Sequence, residues 1–316
     1  MINAGILGIN AETEKYLDPL REMGTFRLVG LHDTDDESVL KLREKFGVKI
    51  FDHPDELLEK ADALITTPQF NTFNHLKSVL RLSKHVFIDP PIKYNSKENK
   101  ELINLSEEAE VIVQVGYRHR YNPAFMAARP FISRKVKMIQ TSRMLPYNKK
   151  SCIHPVNDLL LLDIDNILSV INSRVKKISA YATSSEKSTP DVVFAIIEFH
   201  NGCTANLTAG TISTEEIQKA VFYNPDNFVE IDYRRQKANI CYKDFSPQKS
   251  LFEEESDDLT REQIPVKNAN EIEDELLAFS RSILNMDAPD VNLENTSQTM
   301  AIVREINNQI KLTSNC

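Results

Sequence analysis

Six apolar runs closed by turn residues crowd into the first 125 residues, and stretches of helical spacing separate them. In order they are "INAGILGI", "FRLVGLHD", "VKIFD", "ADALITT", "HVFID" and "VIVQVGY". Strands apolar on both faces and divided by helices specify a parallel sheet covered on both sides. Right-handed crossovers make such a sheet doubly wound. After about Pro130 the rhythm changes. "VKMIQTSRML", "VKKISAYATS", "DVVFAIIEFHN", "CTANLTAGTIS", "QKAVFYN", "NFVEIDY" and "KANICYKD" are strand-like and separated by turn residues rather than helices. That pattern predicts a largely antiparallel open sheet. One helix over Asp158 to Ile171 interrupts it, helices over Glu271 to Leu284 and Leu293 to Leu312 close the chain, and "SDDLTREQ" reads as an acidic solvated loop. The expected organisation is a Rossmann-like α/β domain over residues 1–125 and an α+β substrate and oligomerisation domain over 126–316. The last helices are free to pack back on the first domain.

Charge and composition narrow the partners. The chain is 41% hydrophobic with a net charge of −8, which suits a soluble globular protein and argues against nucleic acid or an anionic membrane as partner. The short basic cluster Arg118, His119, Arg120 reads as a solvated loop or the rim of a ligand site. No basic leader and no run of about 18 apolar residues occurs. Cys152, Cys203, Cys241 and Cys316 lie far apart without Cys-x-x-Cys spacing, so free thiols in the reducing cytoplasm are expected. No His, Cys and carboxylate cluster has metal spacing.

A strand leading through Gly8 into a helix is the setting of the Gly-x-Gly-x-x-Gly dinucleotide fingerprint. The run here is Gly8-Ile9-Asn10-Ala11-Glu12-Thr13, which keeps only the first glycine. Asn10 tolerates φ > 0 yet adds a side chain where phosphate approaches. A Glu12 carboxylate ~5 Å from a phosphate charge costs roughly 3 kcal/mol at an effective dielectric near 20. Pro19 either interrupts the first helix or restarts it with Asp18 as cap. Asp33 ends the second strand, where an acid binds an adenosine ribose and favours NAD over NADP. A strand-ending Asp in the turn "HDTDD" is the plainer alternative. Thr67, Pro68 and Asn71 follow the "ADALITT" strand and are candidates for ribose or nicotinamide contacts; capping of the next helix explains Thr67 and Asn71 equally well.

"HVFIDPP", "VQVGYRHRYNPAF" and "DLLLLDIDNIL", in this order of elements, resemble the glucose–fructose oxidoreductase, inositol dehydrogenase and MocA (Gfo/Idh/MocA) family over essentially the whole chain. "YNPAFMAARPFI" and "TPDVVFAIIEFHNGCTANLTAGTIS" look closest to its nucleotide-sugar 3-dehydrogenase branch, of the UDP-N-acetylglucosamine type. The resemblance implies an NAD(P)-dependent oxidoreductase acting on a sugar or nucleotide sugar. It also implies a homo-oligomer assembled through the exposed face of the C-terminal sheet.

Carried over position by position, the chemistry is incomplete. Where the family ends a strand in Glu-Lys-Pro, with the lysine beside nicotinamide and substrate, this chain has Asp89-Pro90-Pro91. Where the family pairs an Asp with a His four residues on, this chain keeps Asp158 and has Leu162. General acid–base help contributes about 10²–10⁴-fold, so a poor or altered dehydrogenase is implied. Lys93 and Tyr117 are candidate replacements beside Asp158, although a lysine beyond a strand end is ordinarily a solvated one. Gly8, Asn10, Asp33, Thr67, Pro68, Asn71, Asp89 and Pro90 are the candidate cofactor contacts. His154, before Pro155, reads as an ordinary loop histidine, and His75 and His85 fit a helix and a strand start. Three readings stay open: a sugar oxidoreductase, an impaired relative that binds a nucleotide sugar or partner subunit, and a structural oligomer.

Overall fold

The computed structural model describes residues 1–10, 12–92, 94–148, 153–184, 189–243 and 259–313. Along the chain these form β1 (Ile2–Leu7), α1 (Thr13–Glu22), β2 (Phe26–His32), α2 (Asp36–Phe46), α3 (Pro54–Lys60), β3 (Ala63–Thr66), α4 (Phe73–Arg81), β4 (His85–Ile88), α5 (Ser96–Glu108) and β5 (Val113–Val115). There follow α6 (Pro123–Ala128), β6 (Met138–Pro146), α7 (Leu161–Val170), β7 (Val175–Thr183), β8 (Val192–Phe199), β9 (Thr204–Ser213), β10 (Ile217–Tyr223), β11 (Asn227–Asp232), β12 (Lys237–Lys243), β13 (Leu259–Ile264), α8 (Glu271–Asn285) and α9 (Leu293–Thr313). They divide into two units, Met1–Tyr121 with Ala269–Gln298, and Asn122–Asn268 with Thr299–Cys316.

The first unit is a five-stranded sheet in the order β2-β1-β3-β4-β5, parallel throughout. Helices α2, α4 and α5 start where side chains satisfy their free N–H groups. The Asp35 carboxylate accepts from Glu37, Thr72 Oγ1 from His75, and Asn95 with Glu98 closes a capping box on α5. The core joins Ile2, Ile6, Leu17, Leu20, Leu31 and Phe87 to Leu276 and Phe279 of α8. The Phe279 ring stacks on Phe26 at 6.4 Å and meets Phe87 edge-on at 5.7 Å.

Three local expectations are corrected in the two units. "VKIFD" is not a strand of the sheet: it is reduced to one bridge between Ile50 and Leu31, with bonds from Leu31 N to Lys49 O and from Phe51 N to Leu31 O. His53 and Pro54 follow at once to open α3, leaving no length to pair. Helix α1 does not restart at Pro19, which lies inside it. The buried face of Tyr16, Leu17 and Leu20 holds the helix together across the missing N–H. In the second unit, "LTREQI" is a strand rather than a solvated loop. It forms the edge of the eight-stranded sheet, where charged outward residues are ordinary; residues 256–258 lie outside those described.

That sheet has the order β13-β12-β11-β10-β6-β9-β8-β7 and is antiparallel except between β6 and β9. The expected helix from Asp158 begins as a π-helical turn over Pro155–Leu160 before continuing as α7. Helix α7 is tied to β6 by a buried ion pair. Arg143 Nη2 lies 2.6 Å from Asp163 Oδ1, both side chains being 2% exposed.

Candidate functional site

The carboxyl ends of β1, β2, β3 and β4 lead directly into Gly8, Asp33, Thr67 and Asp89. In an open parallel sheet this is the edge at which ligands bind. The structure therefore brings these four sequence-picked residues, with Asn10 and Asn71, to one end of the first unit's sheet.

Gly8 has φ +93, and a Cβ there would lie 2.0 Å from Thr67 Oγ1 and 2.8 Å from the Phe70 ring. Only glycine meets both conditions. The loop after it is closed by its own side chains. Gly8 N donates to His32 O at 2.8 Å, Ile9 N to the Asp33 carboxylate, and Asn10 N to Thr13 Oγ1 at 2.9 Å. Glu12 N donates to Asn10 Oδ1 at 2.9 Å and Thr13 N to Asn10 O at 3.2 Å. Asp33 also accepts from Gln69 Nε2 and, at 2.8 Å, from Asp35 N.

Asn10 reaches across the sheet end as well, donating from Nδ2 to Asp89 Oδ2 at 3.0 Å. The other oxygen of Asp89 accepts from the Tyr16 hydroxyl at 2.8 Å. Burial raises the Asp89 carboxyl above the ordinary range, against the lowering effect of these two donors. Burial and the neighbouring Asp89 carboxylate drive the Tyr16 hydroxyl well upward. Glu12 behaves oppositely. Burial pushes it up, but hydrogen bonds and charge from Arg118 and Lys15 outweigh that and leave it lowered.

Asn71 is fully buried, and its amide ties down the Asp89-Pro90-Pro91 turn. Nδ2 donates to Asp89 O at 2.5 Å and Pro91 O at 3.4 Å, while Oδ1 accepts from Thr66 Oγ1 at 2.6 Å. Thr67 Oγ1 donates to Leu7 O at 3.3 Å. The capping alternative for these two gives way to Thr72, which caps α4. Pro68 opens the turn that runs through Gln69 to Phe70, and Pro90 joins Pro91 through a cis peptide bond.

The described candidate catalytic residues fall in different units. Tyr117, in the first unit, is 1% exposed. Lys93 lies outside the described residues. Asp158, in the second unit, is exposed on the π-helical turn and accepts from His154 N at 2.7 Å. Leu162 is half-buried on α7. His154 Nδ1 accepts from Val156 N at 3.3 Å, so that histidine caps its own turn. Among the described residues no group of His, Cys, Asp and Glu is placed to hold a metal ion, and no helix is long and apolar enough to cross a membrane. Tyr16, Gln69 and the pairing of Arg118 with Glu12 were not among the expected site residues.

A dinucleotide held in the Rossmann manner takes free loop N–H groups for its pyrophosphate and a free acid for its ribose. Here each described N–H from Gly8 to Thr13 is already used, and so is Asp33. Arranged in this way, the residues do not fit that mode of binding.

The model of the oxidoreductase family with an NAD-binding Rossmann fold, Gfo/Idh/MocA, matches residues 2–117. Glucose-6-phosphate 3-dehydrogenase of Bacillus subtilis is 26% identical over 122 residues, 38% of this chain and 35% of that protein. Myo-inositol 2-dehydrogenase of Thermotoga maritima is 26% identical over 125 residues, 38% of this chain and 37% of its own length. The chain thus matches little more than a third of either curated relative. Among solved structures, UDP-N-acetylglucosamine 3-dehydrogenase from Acidithiobacillus ferrooxidans superposes with a TM-score of 0.89 at 17% identity, over 98% of both chains. Apo scyllo-inositol dehydrogenase from Lactobacillus casei gives 0.80 at 16% identity, over 99% of this chain and 97% of that one. At these identities the superpositions establish the fold.

Proposed function

We propose that this chain, whose residues 2–117 match the model of the Gfo/Idh/MocA oxidoreductase family, descends from an NAD(P)-dependent enzyme acting on a sugar or nucleotide sugar and has impaired or altered catalysis. The observation that carries this reading is Pro90, fixed between Asp89 and Pro91 by Asn71 at the end of β4. A proline has no proton to give or take at the place where the family sets its lysine, and Leu162 has none where the family sets its histidine. Asp158 and Lys93 are then the remaining candidates for proton handling. Tyr117 is less suited, being shut into the core.

A second reading is a non-catalytic scaffold that binds a nucleotide sugar or a partner subunit. It is favoured by the internally bonded loop from Gly8 to Thr13. Free buried Cys203 and Cys241 suit the cytoplasm, and the outer face of the second unit's sheet suits a homo-oligomer. Calorimetric titration with NADH and with NADPH at low salt separates the two readings. Micromolar binding, NADH being the tighter if Asp33 can be released to a ribose, supports the oxidoreductase. No heat at millimolar cofactor retires it in favour of the scaffold.

A further inference from the structure

The loop between β1 and α1 carries its own anion. The Glu12 carboxylate pairs with Arg118 Nη1 and, at 2.7 Å, with Lys15 Nζ. Glu12 is 33% exposed in its side chain and Arg118 31%, so this is a half-buried pair rather than a loose surface contact. The two residues lie 106 positions apart in sequence, and a closed turn at the family's nucleotide loop brings them together. Arg118 has a second anchor: its Nε lies 3.8 Å from Glu271 Oε1 of α8. Removing Glu12 would therefore leave the guanidinium held from its other side. A guanidinium fork matches phosphate oxygens better than any other side chain, and Lys15 adds a second, more flexible cation on the same loop and helix.

We infer that Glu12 is an ionic latch. It competes with the phosphates of a nucleotide diphosphate for Arg118 and Lys15, and ligands of that class enter this end of the sheet by displacing it. Arg118 then passes from carboxylate to phosphate, which makes it a binding residue that the loop sequence alone does not disclose. The inference rests on the reading of this sheet end as a site derived from a dinucleotide-binding one. It predicts that a neutral sugar without phosphate does not open the latch.

The test is calorimetric titration of inorganic pyrophosphate and of NADH into the full-length chain and its Glu12→Gln, Arg118→Gln and double variants. Circular dichroism confirms that each is folded. Glu12→Gln is expected to bind pyrophosphate at least about 10-fold more tightly than the unaltered chain, and Glu12→Gln with Arg118→Gln is expected to lose that gain. No gain in Glu12→Gln overturns the latch. A gain that survives loss of Arg118 overturns the role of Arg118, since relief of repulsion alone would then suffice. Micromolar NADH binding by the unaltered chain with no gain for either ligand in Glu12→Gln overturns the latch while leaving the oxidoreductase reading intact. A gain for pyrophosphate without one for NADH upholds the latch and counts against a dinucleotide. Should the double glutamine variant not fold, Glu12→Gln with Arg118→Lys replaces it; this pair keeps the charge without the fork and should hold only part of the gain.

Discussion

Asp89 shows how much one buried carboxylate controls at the sheet end. It holds Asn10 by one oxygen and Tyr16 by the other, and its backbone carbonyl is gripped by Asn71. Because burial raises its folded-state value, its contribution to stability is present below the unfolded carboxyl range and is lost as pH rises through the folded value. Asp89→Asn removes this ionisation, although the amide satisfies only one of the two donors. The unaltered chain should therefore be the more stable at pH 4, and its advantage should shrink towards pH 7. Urea midpoints of both proteins at the two pH values check the sign; an advantage that grew with pH would sink the account. At this scale the sequence was legible where it departs from a motif. Pro90, Leu162, Asn10 and Glu12 all stand out against residues expected at their positions. Tyr16, Gln69 and the pairing of Arg118 with Glu12 were not legible, because the partners lie 73, 36 and 106 positions away and no local pattern announces them.

Between elements, the contact with most at stake is the tie from β6 to α7. Arg143 is 1% exposed, donates to Asp163 through both Nε and Nη2, reaches Gln218 Oε1 at 3.1 Å, and lies over the Tyr233 ring at 5.6 Å. Taking two charges out of water costs several kcal/mol, so such a pair adds little net stability, whereas removing one partner strands the other. Arg143→Met should cost about 3–5 kcal/mol, and Asp163→Leu a comparable amount. The double variant should recover most of either loss. A denaturant-based double-mutant cycle measures the coupling, and additive losses would show that the two side chains do not act as a pair. The helix over 158–171 was legible from its apolar run; its π-helical opening was not, because hydrophobic spacing does not distinguish the two in a single turn. Strand β13 was hidden for a related reason. Its Arg261, Glu262 and Gln263 read as solvated, and an edge strand is where such residues can belong to a sheet.

On the scale of the whole molecule, the fold class followed from what separates the strand-like runs, helices in the first unit and turn residues in the second, and in the structure burial along β8 alternates. Alternation also says which residues the second sheet turns away from its core. Tyr181 pairs directly with Phe194, and both are exposed, at 57% and 39%. Ile212 is 44% exposed, and Tyr223 and Phe228 pair as tilted rings 5.8 Å apart on neighbouring strands. The opposite face buries Val193, Ala195, Ile197 and Phe199 of the same β8 strand. The proposed homo-oligomer would cover the exposed side chains with a second copy of the same face, related by two-fold symmetry and therefore self-complementary; Thr208, Ser142 and Lys219 lie across the same face between the two aromatic pairs. A charge placed on that face would be duplicated across the two-fold and desolvated on association. Phe194→Lys should consequently shift the chain from oligomer to monomer in light scattering coupled to size exclusion. Its thermal midpoint at high dilution should change little, because Phe194 points away from the core. Should the oligomer persist unchanged with Phe194→Lys and Tyr181→Lys combined, the sheet face is not the interface.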